Sequence, residues 1–217
     1  AFEGAHIKFG MRAAPGAIEV IEIDNGDLHV STIDDKPAIG ICGSGILDAV
    51  AQLYTAGVLD RRGRMSDAPR VQPASDGRGK EYLLVPASES GLDTDITVSR
   101  GDVSEIQLAK GAMRAGLNIL LAEAGLTSDD ITHYIIAGAF GTYIDLESAI
   151  TIGMLPDIPR ERFAQVGNAA GIGAKQALLS VERRQHAADF ARKAEYVELT
   201  INNRFTNEFA LTIQIGQ

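Results

Sequence analysis

Tyr134-Ile-Ile-Ala-Gly-Ala-Phe-Gly141 is an apolar run that stops on a glycine turn and leads into helix-forming sequence. In a strand–Gly–x–x–Gly–helix unit the missing side chains let the backbone lie against a flat or phosphorylated ligand. The helix N-terminus adds unpaired N–H donors and a partial positive charge. A similar unit recurs at Phe163-Ala-Gln-Val-Gly-Asn-Ala-Ala-Gly171, and a shorter one at Gly40-Ile-Cys-Gly-Ser-Gly45. Three such turns in 217 residues point to a nucleotide cleft.

Working outward, the chain alternates. Ala17–Asp24 reads as a strand, Asn25-Gly26-Asp27 as a hairpin turn, and Leu28–Ile33 as the returning strand. Ser44 is expected to cap a helix to about Ala56, which Gly57 ends. Residues 60–95 are turn-rich and read as an inserted hairpin. Ile96–Ser99 is extended. Asp102-Val-Ser-Glu105 signals the start of a long helix to about Ala124, with Ile106, Ala109, Met113, Leu117 and Leu120 on its apolar stripe. After Gly125, Thr127–Asp130 opens a short turn. A helix near Asp145–Ile152, a strand near Phe163–Val166, and helices over Ala170–Val181 and Arg183–Ala194 follow the opening strand. Tyr196–Ile201 and Phe209–Ile215 read as two strands. The pattern predicts a layered α/β domain with partly parallel strands.

Composition narrows the function. A net charge of −9 argues against nonspecific nucleic-acid binding. No apolar run approaches the roughly 20 residues of a membrane span. Cys42 is the single cysteine, so the chain has no disulfide framework and no cysteine cluster for zinc or iron–sulfur, which suits a reducing cytoplasm. His6, His29, His133 and His186 make no ligand spacing. Ala1 to His6 show no initiator Met and no signal-peptide pattern, and are expected to come from the middle of a longer protein.

Several motifs occur in one order: Gly40-Ile-Cys-Gly-Ser-Gly45-Ile-Leu-Asp48, Gln107-Leu-Ala-Lys110, Ala137-Gly-Ala-Phe-Gly141-Thr-Tyr-Ile-Asp145, Gly153-Met-Leu-Pro156 and Gly167-Asn-Ala-Ala-Gly171. Ala1-Phe-Glu-Gly-Ala5 and Gly10-Met-Arg-Ala-Ala-Pro-Gly16 precede them. Together they resemble the C-terminal ATPase region of the reductive activators of corrinoid proteins, in the superfamily of actin, heat-shock-70 ATPases and sugar kinases. The resemblance spans nearly the whole chain, and residues 1–217 are expected to be the C-terminal part of such an ATPase domain. It implies an actin-like (ribonuclease H-like) α/β fold with a mixed sheet flanked by helices, and ATP with Mg²⁺ bound between subdomains. The implied activity is ATP-dependent reduction of a Co(II) corrinoid protein to Co(I), which restores it for methyl transfer. A [2Fe–2S] ferredoxin-like domain and the first ATPase subdomain, with its Asp-x-Gly-Thr loops, are expected outside this chain. A homodimer is left open. Two other readings stand beside it: a non-catalytic actin-like binding or dimerisation domain, and an activator of hydroxyacyl-CoA dehydratases.

The resemblance maps the adenosine motif onto Gly138, Ala139, Phe140 and Gly141; the plain alternative is a packing turn. Gln107 and Lys110 fall where related ATPases place an adenine-contacting pair, and one helical turn separates them. The alternative is a solvated helix face. Gly43, Ser44 and Gly45 are candidates near the phosphates or an ordinary helix start. Gly167, Asn168 and Gly171 either close the pocket or turn the chain. Cys42 reads as a small buried residue, Asp145 and Glu147 as a helix start, and Arg61, Arg62 and Arg64 as a solvated basic loop. Glu3 is a candidate near the cleft only by its position after the expected phosphate loop.

Overall fold

The computed structural model describes residues 6–199 and 201–216, without the side chains of residues 139 and 140. Ala1-Phe-Glu-Gly-Ala5, and Glu3 with it, lie outside the described residues. Strand β1 (Ala17–Asp24) turns through Asn25 and Gly26, both at positive φ (50° and 92°), into antiparallel β2 (Asp27–Thr32). Two consecutive left-handed residues match the twist of a tight hairpin, which is why Asn-Gly stands there. Strand β3 (Gly40–Ile41) pairs parallel with the start of β1. A second sheet has the order β4 (Val71–Pro73), β5 (Lys80–Val85), β6 (Ile96–Ser99), all antiparallel. A third is the parallel pair β7 (Tyr134–Ile136) and β8 (Phe163–Gln165).

Helix α1 (Gly43–Thr55) lies on β1 and fills the core with Ile46, Leu47, Val50 and Leu53. Ile18, Ile21 and Ile41 come from the first sheet, Tyr82, Leu84, Ile96 and Val98 from the second, and Val103 and Ile106 from α2 (Arg100–Glu123). The hairpin of residues 60–95 is thus part of the core through β5. Four further helices follow β7: α3 (Ala139–Tyr143), α4 (Leu146–Thr151), α5 (Ala169–Leu179) and α6 (Val181–Lys193). The last is α7 (Phe205–Thr212). The result is a mixed α/β domain with sheets flanked by helices, as the resemblance implies.

Four local expectations are corrected. Cys42, not Ser44, is the N-cap of α1, and Ser44 sits in its first turn with its hydroxyl 3.3 Å from Cys42 Sγ. Glycine at 45 lets the helix begin close against β1, because a Cβ there would meet the Ile18 carbonyl. Helix α2 starts three residues earlier than read, because Ser99 is the cap and Asp102 closes the box. The Asp102 N–H donates to Ser99 Oγ (3.1 Å) and the Ser99 N–H to Asp102 Oδ2 (2.7 Å). The inward face of α2 is Val103, Ile106, Gln107, Lys110 and Gly111, whereas Met113 and Leu120 are half exposed at 51% and 49%. The last correction is the tail. Residues 196–199 form no strand and 205–212 form a helix. The alternating Leu211, Ile213 and Ile215 mimic a strand, but Phe205, Phe209 and Thr212 recur at helical spacing. The two phenyl rings stack at 6.0 Å and the Thr212 hydroxyl donates to the Gly111 carbonyl at 2.9 Å.

Two glycines set how closely these layers approach. A Cβ on Gly45 would press into the Ile18 carbonyl oxygen, and one on Gly111 would stand 3.1 Å from Ile213 Cα. Backbone cannot yield as a side-chain tip can. Gly45→Ala is therefore expected to destabilise the chain by about 3 kcal/mol, and Gly111→Leu by about 2 kcal/mol with loss of α7 docking. Urea unfolding midpoints measure both; a midpoint within error of wild type for Gly45→Ala refutes the close-approach account.

Candidate functional site

Strands β7 and β8 run parallel and end side by side, each on a glycine at positive φ: Gly138 at 106° and Gly167 at 59°. A side-chain-bearing residue is strained in either conformation. The Gly138 N–H donates to the Gly167 carbonyl (2.6 Å), which locks the two turns together. The Thr142 hydroxyl donates to the Gly138 carbonyl (3.3 Å) from the first turn of α3. Gln165 Nε2 donates to the Gly141 and Ile144 carbonyls (2.6 and 2.9 Å), fixing the path between α3 and α4. Asn168 caps α5: its Oδ1 accepts from the Gly171 N–H at 2.9 Å. Helices α3 and α5 therefore start at the carboxyl ends of adjacent parallel strands. In open α/β sheets that is where ligands bind.

The glycines of this corner do different jobs. Around Gly138 there is open space: a Cβ there would have nothing among the described residues within 4 Å. A Cβ on Gly141 would stand 2.7 Å from Ile136 Cγ2, so Gly141 is small because α3 packs on β7. The side chains of Ala139 and Phe140 lie outside the described residues. Thr142 and Gln165 were missed by sequence reading. Gln165 was the more visible of the two, a lone polar residue at the end of an apolar strand one turn before a glycine.

The other candidates sit elsewhere. Gly43, Ser44 and Gly45 form the buried first turn of α1, against β1, and Cys42 Sγ donates to the Ile18 carbonyl at 3.2 Å. Gln107 and Lys110 are buried on α2, 6% and 1% exposed. Gln107 Nε2 donates to the Ile213 carbonyl (3.3 Å) and its Oε1 accepts from Arg100 (3.3 Å). Lys110 Nζ donates to the Gln214 carbonyl. Burial pulls the Lys110 ammonium down to about 8, with Arg114 and Arg61 adding to the effect. The pair thus faces the C-terminal segment, while the Gly138 and Gly167 turns face each other. Asp145 caps α4, accepting from the Ser148 N–H at 2.7 Å, and Glu147 pairs with Arg160 at 2.6 Å. No helix among the described residues is long and apolar enough to cross a membrane.

Comparison with known proteins agrees with this architecture. A family model described as the C-terminal domain of RACo, the ASKHA domain, matches residues 1–217. The chain is 35% identical over 224 residues to the corrinoid activation enzyme RamQ of Eubacterium limosum, covering 100% of this chain and 38% of that protein. It is 24% identical over 231 residues to a Co(II) methylated amine-specific corrinoid protein reductase of Methanosarcina barkeri, covering 95% of this chain and 39% of that one. Among solved structures, a reductive activator for corrinoid, iron-sulfur protein superposes with a TM-score of 0.91 at 39% identity. That match covers 100% of this chain and 35% of the other. The chain spans about two-fifths of the length of these curated relatives. It belongs to the family of the RACo C-terminal domain, an ASKHA domain of the actin-like type.

Proposed function

We propose that this chain is the nucleotide-binding part of an ATP-dependent reductive activator, which returns a corrinoid protein from Co(II) to Co(I) for methyl transfer. The relatives named above carry the corrinoid part of this reading. The nucleotide part rests on one observation, the open corner at Gly138. Its left-handed backbone, its hydrogen bond to Gly167 and the space beside it leave room for ribose and base against main chain. Gly141 holds α3 on β7 behind that surface, and Asn168 presents the N-terminus of α5 beside it. Gly43, Ser44 and Gly45 take the role of seating α1. Gln107 and Lys110 take the role of clasping the C-terminal segment, since reaching a nucleotide would mean giving up carbonyl partners they already hold.

ATP would act by favouring one conformation of the activator, which requires different affinity for the two states. Mg²⁺ would arrive with the triphosphate. No group of three or more His, Cys, Asp or Glu side chains able to hold a metal is formed among the described residues. A [2Fe–2S] centre would be held outside this chain, whose single cysteine, Cys42, is buried.

Titration of the ¹⁵N-labelled chain with a nonhydrolysable ATP analogue tests the corner. Amide shifts are expected at Gly138, Gly141 and Gly167. Gly138→Val is expected to weaken binding by about tenfold, or 1.4 kcal/mol. Gly125→Val is the control, because Gly125 also has positive φ (67°) and open space but closes α2. Equal affinities for wild type and Gly138→Val, or shifts centred elsewhere, remove the corner from the site.

A further inference from the structure

A separate cavity of about 330 Å³ lies between β1, α1, the end of α3 and the start of α4. Four carboxylates line it: Glu19 and Glu22 from β1, Asp48 from α1, and Asp145 at the N-cap of α4. Gln52, Tyr143 and Ser148 supply its neutral polar groups, and no Lys, Arg or His belongs to its lining. None of the four carboxylates is in an ion pair among the described residues. Asp145 is committed to the Ser148 N–H, and Gln52 Oε1 to the Ile23 N–H at 3.1 Å. Asp48 differs from the rest. It is 5% exposed, and its Oδ1 is buried without a hydrogen-bond partner.

A buried carboxylate oxygen with no donor carries its full desolvation cost. Here Asp145 and Glu22 add like charge. Burial pushes the Asp48 acid up to about 7, and Asp145 and Glu22 reinforce it, while Ser148 and the Ile21 N–H offset only part. A hydrogen-bond donor that brings positive charge would remove both costs together.

We propose that this cavity binds an organic cation, a guanidinium or ammonium group that pairs with the Asp48 carboxylate and is faced by Glu19, Glu22 and Asp145. A bare metal ion fits less well, since these side chains form no converged ligand set. A guanidinium spreads its charge over several donors and is weakly hydrated, which suits a roomy, partly apolar cleft. The same chemistry is offered by a free small cation and by an arginine side chain on a partner. Either would bridge α1 and β1 to α4, the helix that follows α3.

The cation binds the ionised form of Asp48, so its entry releases a proton at low pH. Affinity should rise about tenfold from near pH 6 to near pH 8 and then level off. Glu19 and Glu22 on β1, Tyr143 on α3 and Asp145 on α4 are the titratable groups that share the cavity. The test is calorimetry and amide NMR on the 217-residue chain with methylguanidinium chloride. The expected result is saturable binding with that pH dependence, and shifts centred on Asp48, Gln52 and residues 145–148. Asp48→Asn keeps the side-chain shape and should lose about tenfold in affinity near pH 8, together with the pH dependence. Glu22→Gln, at the exposed rim, should weaken binding about two- to threefold and guards against a folding defect in the first variant. An arginine-containing tripeptide that binds as well as methylguanidinium identifies a presented side chain; binding of methylguanidinium alone identifies a free cation. Both uphold the site. No saturation by about 50 mM, pH-independent binding, or tighter displacement by Mg²⁺ overturns it.

Discussion

A lysine with almost no exposed surface organises one side of this domain. Lys110 and Gln107 point inward from α2 and give their N–H donors to carbonyls of the C-terminal segment. That segment in turn ties three elements together. The Ile215 N–H donates to the Arg61 carbonyl, the Gly216 N–H donates to the Ile152 carbonyl, and the Ile215 side chain is fully buried in the core. Burying an ammonium is costly unless its donors are met, and here the Gln214 carbonyl accepts from it. The low ammonium pKa records the cost that remains. Helix α7 lies against α2 at Gly111, beside the clasp.

The glycines of the chain divide by the reason each is needed. Gly45, Gly111 and Gly141 are places where a Cβ would meet main chain or a branched side chain, so they set distances between layers. Gly138 and Gly167 hold left-handed backbone at the ends of parallel strands. Of these two, Gly138 has open space beside it, in the crevice position favoured by α/β sheets, whereas a Cβ on Gly167 would meet the Thr142 hydroxyl at 3.4 Å. The difference separates a glycine needed for close packing from one needed for its backbone conformation, and a motif match alone does not reveal it.

The charged groups show a related division. Exposed pairs such as Arg160 with Glu147 and Asp157 contribute little on their own. Buried ones are either answered, as Glu81 is by Lys8 at 2.8 Å, or left in deficit, as Asp48 is. The deficit at Asp48 lies in a cavity shared with Tyr143, Ile144 and Asp145, which follow the Gly138–Gly141 segment. A domain whose relatives are reductive activators for corrinoid proteins thus holds two distinct polar surfaces near one turn.

Much of this was readable from residues. The Asn25-Gly26 hairpin, α1, α2, the β7–turn–α3 unit and the β8–turn–α5 unit follow from periodicity and glycine placement, because each is fixed by contacts close in sequence. The ordered motifs were enough to point to the family. What the sequence did not determine was which face of α2 turns inward. Its apolar stripe through Met113 and Leu120 is half exposed, and its polar pair Gln107 and Lys110 is buried. The tail was misread for the same reason, as a strand where α7 forms. Both outcomes depend on partners about a hundred residues apart in the chain: carbonyls at 213 and 214 that satisfy α2, and a glycine at 111 that admits α7. Local pattern prices a polar side chain as if its surroundings were water. Only the tertiary structure supplied the acceptors that made burial of these two affordable, and only it withheld a donor from Asp48.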